Sequence, residues 1–156
     1  MNGKIVGGVI LAFAVIAGVS LYYLQVYHFY DEVATETVEI RLTPIQEGAP
    51  EPIPAAGIEA IDATSSPIRF RACFTTPLSQ ALLTETFRLY DGAEPLNAPA
   101  WFECFDATEI GAALQEGRAI AFLSEEGVSQ GVDRVVAVFD DGRAFAWHQL
   151  NAEFRD

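Results

Sequence analysis

The sequence predicts an α+β protein: one N-terminal transmembrane helix, then a small domain with a mainly antiparallel sheet and about two short helices. Three observations carry this. Residues 5–24 contain no charged side chain. Later stretches alternate apolar and polar residues with a period of two, the pattern of half-buried strands. Among these strands lie two helix-start signals, at Thr76-Pro77 and at Asp106. The chain divides into an anchor with an aromatic interface belt, residues 1–30, and an acidic domain, residues 31–156.

The anchor comes first. A helix of about 20 residues covers ~30 Å, the hydrocarbon thickness of a bilayer. Backbone groups in lipid must be satisfied internally, so the run is helical. Tyr22, Tyr23, Tyr27, Phe29 and Tyr30 follow it, and amphipathic rings settle at headgroup level. The alternative is a cleavable signal peptide, with Lys4 as its basic region and Val15-Ile16-Ala17 as its cleavage site. The apolar run continues past that site and ends in the belt, which favours a retained helix. Lys4 is the only lysine, and after the run the next fixed positive charge is Arg41. The positive-inside rule then keeps the N-terminus in the cytoplasm and places the domain in the periplasm, on the inner membrane. Gly7, Ala14 and Gly18 share one helical face. Small residues there let another helix approach closely, although glycine and alanine are common in membrane helices anyway.

Within the domain, VATETVEIRL at residues 33–42 reads as a strand. The proline-rich stretch from Pro44 to Pro54 is a surface loop, and residues 58–63 form a short edge strand. IRFRACF at residues 68–74 alternates again, with Phe70, Ala72 and Phe74 on one face and Arg69, Arg71 and Cys73 on the other. A helix capped by Thr76 runs to about Phe87, and residues 90–99 are a loop. Asp106, with Glu109 three residues on, has the form of a capping box. Ile110, Ala113 and Leu114 continue that helix as an apolar stripe, and Gly117 stops it. Residues 119–123, 134–140 and 143–150 are strands, the last two joined by Asp140-Asp141-Gly142. Residues 125–131 are a polar loop. Both helices are expected on one face of the sheet.

All 22 acidic residues lie after residue 30, against eight arginines there, so the exported part carries a net charge of −14. Nucleic acid is excluded as a partner, because binding phosphates along a strand requires basic patches. An acidic surface suits a basic soluble periplasmic protein, or simply keeps the domain soluble. Two cysteines exported to an oxidising compartment often pair, which makes Cys73–Cys104 a candidate structural bridge. Two buried free thiols are the alternative. No CxxC spacing supports a redox role.

The catalytic search is nearly empty, and no metal or cofactor is expected. His28 lies among aromatics at the membrane edge and reads as an interfacial anchor rather than a ligand. His148 lacks identifiable companions for a metal or base role. Trp101 and Phe102, beside a proline loop and Cys104, form either an exposed recognition patch or core packing around a disulfide. Neither a nucleophile elbow nor a zinc helix motif is present.

The segments MNGKIVGG, YYLQVY, ACFTTPLS, APAWFECFDA, EIGAAL and DRVVAVFDDGRAFAWHQLN together resemble a family of small single-span membrane proteins of alphaproteobacteria, a domain of unknown function. The resemblance covers most of the chain and implies a membrane location and a common fold. It brings no catalytic residues. The expected function is therefore association. The chain would be an accessory subunit or assembly factor that packs its helix against integral membrane proteins. By analogy, a respiratory complex with a basic cytochrome is one candidate. The competing expectation is a periplasmic ligand-binding, sensory or thiol-redox domain on an anchor.

Overall fold

The computed structural model describes residues 2–154. Helix α1 (Gly3–Tyr23) is capped by the Asn2 side chain and runs on through a π-helical turn, Leu24–His28. Together they make one helix, Gly3–His28, that is long and apolar enough to cross a membrane, with mean hydropathy 2.4 and nothing buried.

The domain is built on a six-stranded sheet, antiparallel throughout. Its strands are β1 (Asp31–Glu32), β4 (Ala56–Asp62), β5 (Arg71–Thr75), β6 (Ala119–Ser129), β7 (Val132–Phe139) and β8 (Arg143–Leu150), in the order β1-β4-β5-β8-β7-β6. A separate two-stranded ribbon pairs β2 (Arg41–Leu42) with β3 (Glu51–Pro52). The helices α2 (Gln80–Thr86) and α3 (Ala107–Glu116) complete the α+β fold.

Alternation along β5 and β8 sends side chains to two cores. On one face Ala72, Phe74, Ala144 and Ala146 pack with Phe122, Leu42, Ile53 and Leu83, under the ribbon and α2. On the other, Cys73, Phe145 and Trp147 pack with Phe105, Ile110 and Ala113, under α3 and the loop before it. The helices therefore cover opposite faces of the sheet, not one as expected. Each strand of the β7–β8 pair is apolar on both sides, as in Val135-Val136-Ala137-Val138, and an exposed face of that composition would carry a large penalty.

Three local expectations are also corrected. Residues 33–42 are not one strand: a 3-10 turn, Thr35–Thr37, breaks them, and among them only Arg41–Leu42 pairs as a strand. Alternation survives without a ladder, with Ile40 and Leu42 buried and Glu39 and Arg41 exposed. The cap of α2 is Ser79, which accepts from the Leu82 N–H at 3.2 Å, rather than Thr76. Residues 125–129 extend β6 through bulges, with Gly127 at φ 64°, instead of forming a loop. For α3 the structure and the sequence agree on the cap. The Asp106 carboxylate accepts from Thr108 and Glu109 N–H, and Gly117 ends the helix at φ 73°. Glu109 does not close the capping box, because its carboxylate pairs with Arg143 at 3.2 Å.

Candidate functional site at the helix–domain junction

The apolar helix meets the domain at its π-helical turn. Phe29 N–H reaches the Leu24 carbonyl at 3.1 Å, one residue further back than in an α-helix. Widening of this kind frees carbonyls that need other partners. Two are found on the domain. The Trp101 indole N–H donates to the Val26 carbonyl at 2.7 Å, and Arg69 Nη1 donates to the Gln25 carbonyl at 3.3 Å. Tyr30 completes the junction. Its ring stands edge-on to Trp101 at 6.2 Å, and the Arg69 guanidinium lies over it at 5.3 Å.

Beneath Arg69 the Arg71 guanidinium is buried. Nε donates to the Leu96 carbonyl at 2.8 Å, Nη2 to Asn97 at 3.2 Å, and Nη1 to Ile68 and Phe70. Burial lowers its pKa to about 10, opposed by the fields of Tyr30 and Asp62, so it stays charged at neutral pH. Its role is to hold the loop before Trp101 against the sheet. That loop lacks a ladder of its own, and its buried carbonyls must find donors. The cavity between Arg69, Arg71, Gln25, Tyr30, Ser66 and Asn97 has a volume of about 470 Å³.

Cys73 and Cys104 form a disulfide, with S–S 2.11 Å and Cα–Cα 6.3 Å. It ties β5 to the segment that carries Trp101. Trp101 is half-buried and Phe102 is 8 % exposed, within the core, so this pair packs rather than presenting a free patch. Gly7, Ala14 and Gly18 lie on the uncovered helix, and nothing stands within 4 Å of where a Cβ would be added at Gly7 or Gly18. Tyr22 and Tyr27 meet edge-on at 6.4 Å, and Tyr23 stacks on Tyr27 at 5.8 Å. His28 sits against Phe29, their rings 5.6 Å apart.

His148 is held at Pro67, between Ser66 and Ile68 of the junction cavity. Its Nδ1 is 2.7 Å from the Pro67 carbonyl, which can only accept, so Nδ1 carries the proton. Nε2 then accepts from Arg134 Nε at 3.0 Å. Phe70 stacks on the imidazole at 4.8 Å, and Arg134 covers Phe70 at 4.5 Å. Burial lowers the His148 pKa to about 4. The Pro67 hydrogen bond opposes this, and the charges of Arg134 and Arg71 add to it. The ring is neutral with both nitrogens engaged, which suits packing better than recognition.

A cavity of about 730 Å³ is an open groove bounded by the loop at Tyr90 and Glu94, by α3 at Gly111 and Gln115, and by the start of β6. Among the described residues no group of three or more His, Cys, Asp or Glu is placed to hold a metal ion.

Sequence reasoning passed over Arg69 and Arg71 as site residues. A signal was present, since two of the eight arginines of a strongly acidic chain stand two apart on one strand face. The free carbonyls of Gln25 and Val26 had none, because a π-helical turn depends on what the helix docks against.

The fold and the junction define a small disulfide-bonded α+β domain that follows one long apolar helix. The chain belongs to a family of unknown function, DUF6446, whose model matches residues 40–155, leaving out α1, the π-helical turn and β1. No curated protein and no solved structure matches it.

Proposed function

We propose that the chain is a single-pass inner-membrane protein with a cytoplasmic N-terminus and a periplasmic domain, acting by association as an accessory subunit or assembly factor of a larger membrane complex. The observation that carries this is the uncovered α1, apolar on every side, joined to its domain by Trp101 and Arg69. A helix packed in lipid against a partner would thereby set the domain's position above the membrane. Lys4 supports the orientation, and the resemblance to alphaproteobacterial single-span proteins supports the compartment. The acidic domain would favour a basic soluble partner.

Close backbone approach along Gly7, Ala14 and Gly18 would supply part of the helix interface. Replacing Gly7 and Gly18 with Leu preserves an apolar helix, so insertion persists while recovery of co-purifying membrane proteins from a mild detergent extract falls. Undiminished recovery from the double variant would reduce α1 to an anchor. The groove beside Tyr90 and Glu94 favours the second reading, a periplasmic ligand-binding domain. That reading gains if no partner is recovered from either protein.

A further inference from the structure

We infer that the cavity at the helix–domain junction binds the phosphodiester of a phospholipid headgroup, with Arg69 as its principal cation. The inference rests on the reading of α1 as a membrane span.

Position is the first support. The apolar run ends at Leu24, before the polar Gln25, and about 20 helical residues fill the ~30 Å of hydrocarbon. Gln25, Val26 and Tyr30, which line the cavity, then stand at the level of the headgroups.

Charge is the second. Acidic residues outnumber basic ones 22 to 9 in this chain, yet the cavity is lined by two arginines and no carboxylate. Arg69 has no ion pair among the described residues, where the salt bridges use Arg41, Arg118, Arg134 and Arg143. One of its N–H groups reaches the Gln25 carbonyl, and the fork has four more. Arg71, two residues on, adds a second positive charge that its carbonyl partners do not neutralise. Asp62, whose field reaches Arg71, lines a different cavity, on the His148 side. Two like charges with no carboxylate between them are relieved by an anion, and a guanidinium fork matches a phosphate. Ser66 and Asn97 also line the cavity and add neutral donors.

The domain's overall negative charge opposes free anions at long range, but a Debye length of about 8 Å screens most of that field at physiological salt. A lipid is delivered at high local concentration by the bilayer itself, an advantage that free phosphate lacks.

The test uses the full chain purified in mild detergent. Native mass spectrometry is run with dioleoyl-phosphatidylglycerol, with dioleoyl-phosphatidylethanolamine and with inorganic phosphate. One lipid should bind, and Arg69→Gln should raise its Kd at least about tenfold, the factor that one charge-assisted hydrogen bond carries. Arg69→Lys, which keeps the charge without the fork, should fall between. Non-reducing peptide mapping of Cys73–Cys104 checks that each variant is folded. Lipid affinity unchanged in Arg69→Gln would overturn the site. Phosphate binding as tightly as either lipid would overturn the lipid as its source. Carbonate extraction of cell membranes separates the two readings. If the wild-type chain is released, the membrane span fails and the site with it. If the chain is retained but lipid binding ignores Arg69, only the site fails.

Discussion

The two faces of the central sheet are covered in different ways. One carries the short β2–β3 ribbon and the seven-residue α2. They seat largely through apolar contacts such as Leu42, Ile53 and Leu83 on Phe74 and Val138. The other carries α3 and a long irregular segment, residues 90–105. Irregular chain has no ladder, so its buried backbone needs side-chain partners, and the sheet supplies them. Gln149, 2 % exposed, accepts from Glu94 N–H at 2.8 Å and from the Trp147 indole at 2.9 Å, and donates to Gly92. Asp133 accepts from the Tyr90 hydroxyl at 3.1 Å and from Gly127 N–H. Arg71 holds Leu96 and Asn97, and the disulfide holds Cys104. An irregular covering can thus be as firmly fixed as a helix, but its anchors are few and individually costly to lose.

Trp147→Ala should expose that difference most strongly. Trp147 is fully buried, stands edge-on to Phe105 at 6.4 Å and donates to Gln149. Its truncation should lower stability by about 3–5 kcal/mol, read from denaturant unfolding of the full chain in detergent. Amide exchange should rise in residues 90–105 before it rises in the β2–β3 ribbon. An equal rise in both would show that the two coverings open as one unit.

Replacing both Cys73 and Cys104 with Ala opens a loop with sequence separation 31. Chain-entropy arguments put the loss at roughly 3–4 kcal/mol. Faster exchange should be concentrated around Trp101 and Phe102. A loss well under 1 kcal/mol would mean that Arg71 and Gln149 already fix the segment without the bridge.

His148 probes the opposite face, where it stacks on Phe70. Its folded pKa is about 4, depressed from 6.5. Above pH 6.5 the ring is neutral in both states and contributes no pH dependence. Between about pH 6.5 and 4 the unfolded chain takes up a proton that the folded chain refuses, so stability falls as pH falls. The loss approaches roughly 3 kcal/mol over that window. His148→Gln should flatten this part of the stability–pH curve. A slope unchanged by the substitution would assign the acid sensitivity to carboxylates instead.

The sequence by itself determined whatever depends on neighbours a few residues apart. The uncharged run of α1 marks a helix long enough to cross a bilayer, because length and hydropathy are one-dimensional properties. The Asp106 cap and Gly117 stop of α3 were legible, because caps act within one turn. So was the Asp-Gly turn between β7 and β8. Even the two-faced pattern of residues 70–74 could be read from alternation. What only the tertiary structure decided depends on contacts between distant residues. Residues 33–42 alternate as a strand would, yet no neighbouring strand continues along them, so a 3-10 turn forms instead. Both faces of β7 are apolar, which is why α2 and α3 were driven to opposite sides. The carbonyl of Val26 met the indole of Trp101 across 75 residues, and Arg71 came to hold the loop at Leu96, because a folded chain must satisfy the polar groups it buries wherever a donor lies in space.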